Sequence, residues 1–220
     1  MLTKTRNRVP ALSELFAAQR RGMMQTFQIN PDYDQTIRGR YGLQVDIPAF
    51  SLVDERGEPA TGPVTIEMIE LPDTRAMMRA DRPTTAGDQL LETGGAFYLR
   101  ARRQGRKLQP GRPVEARLPM RSSLESRSLM QAWDGVTNRR TGSFTWRSSS
   151  ANDIREATAQ FYRLRMRRFR WFNCDYNYRR AFPDATFQQL TAQLDCPVKP
   201  EPATTRLFLQ FQDRKSTRLN

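Results

Sequence analysis

The sequence predicts an all-β, mainly antiparallel chain: a β-sandwich followed by a second, smaller β module and preceded by a short N-terminal helix. Three runs of residues predict it. Leu43, Val45 and Ile47 share one face of a period-2 run while Gln44 and Asp46 take the other, and Pro48 ends the ladder because proline has no N–H to donate. Val64, Ile66 and Met68 restart the alternation against Thr65 and Glu67 after the turn-forming stretch from Asp54 to Pro59. Val114, Ala116 and Leu118 repeat it against Glu115 and Arg117, so each strand keeps one wet face, as antiparallel sheets do.

The elements follow in order. Residues 1–25 hold the helix and its flanks, with Leu12, Leu15 and Phe16 at helical spacing and Gly22 as a stop. Lys4, Arg6 and Arg8 precede a short apolar run that Ser13 and Glu14 interrupt, which reads as this helix rather than a signal peptide. Residues 26–119 form the sandwich, with strands at Phe27 to Ile29, Gln35 to Ile37, Tyr41 to Ile47, Val64 to Ile69, Ala96 to Ala101 and Val114 to Leu118. Asp73 to Ala80 has helical composition, and Met77 and Met78 are core fillers. Gly94 and Gly95 announce a bulge or a close backbone approach. The polar residues 120–128 read as a linker, 129–212 as the second module, and 213–220 as a non-native tail on what reads as a fragment of a longer protein.

In the second module, MQAWDG and FTW are aromatic strands around a turn, and Asn152 lies in a loop or caps a helix toward Phe161. In FYRLRMRRFRWFNCD, Tyr162, Leu164 and Met166 point inward and Arg163, Arg165 and Arg167 outward. Phe169 and Trp171 are then out of phase, so the strand must break or bulge near Arg168. Trp171 is expected to plug the second module, with Asn173 and Asp175 satisfying local backbone groups and Cys174 in the core. TTRLFLQF, ending at Phe211, is a last strand.

Composition narrows the chemistry. The chain of 220 residues carries no histidine, which removes the commonest general base and the Ser-His and Cys-His nucleophile pairs. Cys174 and Cys196 are too few for a structural zinc site without histidine, so no metal or cofactor is expected; the pair forms a disulfide in an oxidising compartment or stays as two buried thiols. The carboxylates Asp46, Asp54, Glu67 and Glu70 offer the parts of an acid and base pair, but solubility explains their turn and polar-face positions better. No nucleophile motif accompanies them, so no enzymatic activity is expected. No apolar run approaches the length needed to span a bilayer.

The net charge of +13 comes almost entirely from arginine scattered among 23 acidic residues, which favours a solvated basic exterior over a dedicated site. One cluster stands out. Arg163, Arg165, Arg167, Arg168 and Arg170 interleave with aromatics, a composition that binds single-stranded nucleic acid or anionic glycans elsewhere, although a charged outer strand face accounts for it more simply.

The phrase built on Ile47, Pro48, Ala49, Phe50, Asp54, Gly57, Pro59 and Gly62, followed by LLETGGAFYLRARRQGRKLQPGRPVEARLP, MQAWDG with FTW, and Trp171, Asn173, Cys174 and Asp175, resembles a family of secreted or surface-anchored Bacteroidota proteins with a ZU5-like β-sandwich core. The resemblance runs in order through residues 26–211. It implies an extracytoplasmic, non-enzymatic surface module for adhesion, assembly or ligand display, with a surface protein or glycan as partner. Were the natural start at Met1, the cytoplasm and a nucleic-acid partner would be expected instead.

Overall fold

The computed structural model describes residues 12–177 except 88, 122–126 and 159. Helix α1 (Leu12–Met23) leads into β1 (Gln25–Ile29), β2 (Gln35–Arg38), β3 (Gln44–Ile47), β4 (Leu52–Val53) and β5 (Val64–Leu71). Helix α2 (Thr74–Arg79), β6 (Thr85–Ala86), β7 (Gln89–Arg103), β8 (Arg106–Pro110) and β9 (Val114–Pro119) follow. The described chain ends with β10 (Gln131–Thr137), β11 (Phe144–Ser148), β12 (Asp153–Ala157), β13 (Phe161–Met166) and β14 (Trp171–Asn177). All named strand pairs are antiparallel, and they form two sheets: β1-β5-β7-β14-β10-β11 with small additions, and β12-β13-β9-β3-β2.

The two sheets pack as a sandwich because each turns its apolar phase inward. Val64, Ile66, Met68, Phe97, Leu99, Phe172 and Cys174 from the first sheet meet Val45, Ile47, Val114, Ala116, Tyr162, Leu164 and Met166 from the second in one buried cluster. The first sheet buries its other face as well. There Ile69, Leu71, Met77, Ala80, Trp133, Trp146 and Trp171 form a second cluster. Asp73 caps α2 by accepting from the Ala76 N–H at 2.8 Å, and α1 docks on α2 through Arg20, which donates to the Ala80 carbonyl at 2.9 Å.

The strands after residue 129 do not build a module of their own among the described residues. Strand β14 lies between β7 and β10, and β13 pairs with β9, so late strands complete both sheets begun by early ones. An unsatisfied strand edge buried in a sandwich needs a partner, and these strands supply it. Gly95 adopts φ +123° in the expected bulge, where β7 slips against β14 opposite Cys174, and a Cβ on Gly94 would sit 2.9 Å from the Cys174 carbonyl. Helix α1 continues one residue beyond Gly22, and Leu15 on it is exposed rather than packed. Cys196, the strand through Phe211 and residues 213–220 lie outside the described residues.

Candidate functional site

The arginine run is divided by the fold. Arg163 and Arg165 stand on the outer face of β13, where the paired strands put acids and bases in alternate rows. Arg165 lies between Glu115 on β9 and Asp153 on β12, and Arg163 lies opposite Arg117. Arg117 in turn reaches Asp46 at 2.6 Å, and Asp46 accepts from the Thr36 hydroxyl at 2.7 Å. The outer face is therefore laced with both signs of charge.

Beyond Met166 the chain leaves that sheet, crosses the edge of the sandwich at 167–170 and enters β14, which is the phase break the sequence requires near Arg168. The crossing buries Phe169, whose N–H donates to Gln109 Oε1 at 2.8 Å. A second crossing, at 149–152, carries the chain from β11 to β12 along the same edge.

Asn152 joins the two crossings. Its Oδ1 accepts from the Arg167 N–H at 2.8 Å and the Arg168 N–H at 3.1 Å, while its Nδ2 donates to Asp134 Oδ1 at 3.1 Å and the Arg168 carbonyl at 3.3 Å. The side chain is 2% exposed, and all four of its hydrogen-bonding sites are engaged. It caps no helix, because residues 153–157 are strand β12 and Asn152 is consumed by tertiary bonds.

Asp134 is the buried anion of this clasp. It sits in the inward phase of β10 with Ala132 and Val136, is 5% exposed, and pairs with Arg170 at 3.4 Å. Arg147 on β11 is its cross-strand neighbour. Arg147, Arg167, Arg168 and Arg170 thus border the clasp, with Arg170 on its buried carboxylate. The guanidinium groups of Arg147, Arg167 and Arg168 are exposed and make no hydrogen bond or ion pair among the described residues.

The other expected site residues are apart from it and from one another. Glu70 is a buried carboxylate that accepts from the Tyr41 and Leu43 N–H groups, each at 2.9 Å, and from Gln25 Nε2 at 2.8 Å. Glu67 pairs with Arg100, Asp46 with Arg117, and Asp54 folds its own turn by accepting from the Arg56 and Glu58 N–H groups, which hold its carboxyl below the usual range. No two of these four form an acid and base pair in a cleft.

Trp171 packs on the outward face of the first sheet against Tyr98 at a ring distance of 5.1 Å, with Arg82 over its indole at 4.4 Å. It therefore anchors the second core of the shared sheet rather than a separate module. Asn173 and Asp175 bond chiefly to side chains, donating and accepting between themselves and with Thr93. Asp175 is fully buried, which pushes its carboxyl well above the ordinary range despite bonds from Thr93, Asn173 and the Gly94 N–H. Its Oδ1 has no hydrogen-bond partner among the described residues. Burial, aided by Asp175, also pushes the Cys174 thiol well up, so the thiolate that reacts or binds metal is suppressed. Among the described residues, no three histidine, cysteine or carboxylate side chains are grouped to hold a metal.

Sequence reasoning named Arg167, Arg168 and Arg170 but missed Arg147, Asp134 and the tertiary role of Asn152. The signal for Asp134 was present: a carboxylate in the apolar phase of a strand, as Glu70 is in the phase of Val64, Ile66 and Met68. Comparison of the chain with protein-family models, curated proteins and solved structures returned no match.

Proposed function

We propose that this chain is a non-enzymatic interaction module of a secreted or cell-surface protein, of the ZU5-like kind its sequence resembles, displaying ligand-contacting groups on a β-sandwich frame. The observation that carries this reading is where the polar chemistry goes. The buried carboxylates Glu70 and Asp134 hold the frame, Asp175 is sealed within it, and Arg147, Arg167 and Arg168 stand exposed along one edge without a side-chain partner among the described residues. A site for turnover needs a positioned acid, base or nucleophile with access to substrate, whereas Asp46, Asp54, Glu67 and Glu70 are each engaged by partners of their own.

A broad screen for hydrolase activity, run beside localisation of the full-length protein in its native cell, tests the proposal. No turnover and recovery in the extracytoplasmic fraction are expected. Turnover abolished by substituting one carboxylate would overturn the non-enzymatic reading, and strictly cytoplasmic recovery would overturn the surface assignment.

A further inference from the structure

We propose that the crossover edge of the sandwich, formed by Arg147, Arg167, Arg168 and Arg170 around the Asp134 and Asn152 clasp, is the docking site for a linear sulfated or uronate-bearing polysaccharide. The proposal rests on the interaction-module reading and names its partner class.

Charge complementarity points to the occupant. Four arginines border the clasp, its carboxylate is buried and engaged by Arg170 and Asn152, and the guanidinium groups of the other three are exposed with no anion bonded to them among the described residues. Three arginines elsewhere on the sandwich are neutralised locally: Arg117 by Asp46, Arg100 by Glu67, and Arg155 by Asp153 at 3.1 Å. Guanidinium groups present paired donors that match the oxygens of sulfate and carboxylate.

The site is held before a ligand arrives. Asn152 fixes the backbone of both Arg167 and Arg168, so the two side chains leave adjacent, anchored positions rather than a floppy loop. Arg147 is set by its strand register opposite Asp134. Anchoring lowers the ordering entropy that binding would otherwise carry.

A polysaccharide fits better than nucleic acid. Single-strand recognition needs exposed rings on which bases stack, and the aromatics at this edge, Phe169, Trp171 and Trp146, are all buried. The exposed large apolar side chains among the described residues are Leu15, Tyr33, Tyr41 and Phe50, none of them in the crossings. Duplex recognition inserts a helix or ribbon into the major groove, whereas these arginines arise from one turn and one strand along a sheet edge. What remains is contact with regularly spaced anions.

The test uses the full chain, with heparin and polygalacturonate as glycan probes and duplex and single-stranded DNA as competitors. Three proteins are compared: the unaltered chain, Arg147→Ser/Arg167→Ser/Arg168→Ser, and the control Arg163→Ser/Arg165→Ser, each first shown to be folded by its thermal unfolding. The unaltered chain is expected to bind a glycan probe at low salt. The triple variant should weaken binding by about tenfold or more and lower the salt slope by about 2 to 3, as loss of three ion contacts implies. The control should change affinity by less than about twofold, the scale of a charge outside the contact.

Absence of glycan binding at low salt, or equal losses in the two variants, would overturn the proposal. Preference for either DNA over both glycans would replace the polysaccharide with nucleic acid. Cleavage of a bound glycan would leave the docking site standing and sink the non-enzymatic reading, so the two failures are distinguishable.

Discussion

Arg165 and Arg168 are close in sequence yet live under different electrostatic rules. Arg165 is in a strand flanked on both sides, so its neighbours are fixed by register: Glu115 on one strand and Asp153 on the other. Arg168 is in a turn between sheets, where no ladder places an acid opposite it, and only its backbone is held, by Asn152. Strand register sets acids beside Arg165 as a by-product of geometry, though it also sets Arg163 opposite Arg117. A crossing has no such register, and a cluster that looks uniform along the chain becomes a face of both signs and a basic edge.

The clasp should be the most sensitive part of this contrast. Asn152→Ala would leave two part-buried backbone N–H groups and one face of the buried Asp134 without their bonds to Asn152, and we expect a loss of about 2 kcal/mol in urea unfolding. Amide exchange at Arg167 and Arg168 should accelerate while amides within β13 keep their protection. A loss below about 0.5 kcal/mol, the level of an ordinary surface change, would mean that the crossing is held by something else.

Asp175 sharpens the same contrast from inside, because among the described residues it is buried without an arginine such as the one that accompanies Asp134. Its carboxyl titrates near about 3.9 in the unfolded chain and well above that in the folded one. As pH rises through the interval between the two values, the unfolded chain releases this proton first, so the contribution of Asp175 to stability declines. Asp175→Asn cannot titrate and should remove that decline. Melting temperatures at pH 5 and pH 8 check this: the unaltered chain should lose more than the variant, and parallel behaviour would contradict the assignment. The Cys174 thiol beside it should also react slowly with a thiol reagent while the protein is folded, and rapid labelling would show an accessible strand where a sealed one is described.

Smaller effects are expected on the surface. Arg117→Ala should cost about 1 kcal/mol or less at low salt, and less at high salt, because its partner Asp46 is only partly shielded from water. Arg167→Ser should change stability by no more than about 0.5 kcal/mol, since its side chain has no partner among the described residues and its N–H bond to Asn152 survives the substitution.

The period-2 runs made the antiparallel β architecture legible, because alternation reports which side of a pleat is wet, and the spacing of Leu12, Leu15 and Phe16 made the N-terminal helix legible. The Gly94 and Gly95 bulge was legible from the glycines themselves, and the phase break near Arg168 because a slip in a strict period has to be absorbed somewhere. The insertion of β14 between β7 and β10 was not, since strand order depends on long-range pairing that no local pattern encodes. Nor was the use of Asn152, which looks like any loop asparagine until Asp134 and the 167–170 turn are brought to it. Glu70 and Asp134 carry a readable trace, being carboxylates in an apolar phase. They lie in one inward register row on either side of the stacked Phe97 and Phe172 rings, whose centroids are 5.0 Å apart.

The most direct test of the division between face and edge is the unfolding free energy of Arg165→Ser and Arg168→Ser, each measured against the unaltered chain at low and high salt. Replacing Arg165 should destabilise the protein at low salt, by about 0.5 kcal/mol, and salt should shrink the difference. Replacing Arg168 should leave stability unchanged or raise it at low salt, by relieving repulsion among the edge arginines. Equal destabilisation by both substitutions would contradict the division, because it would place an anion beside Arg168 where the crossing leaves none.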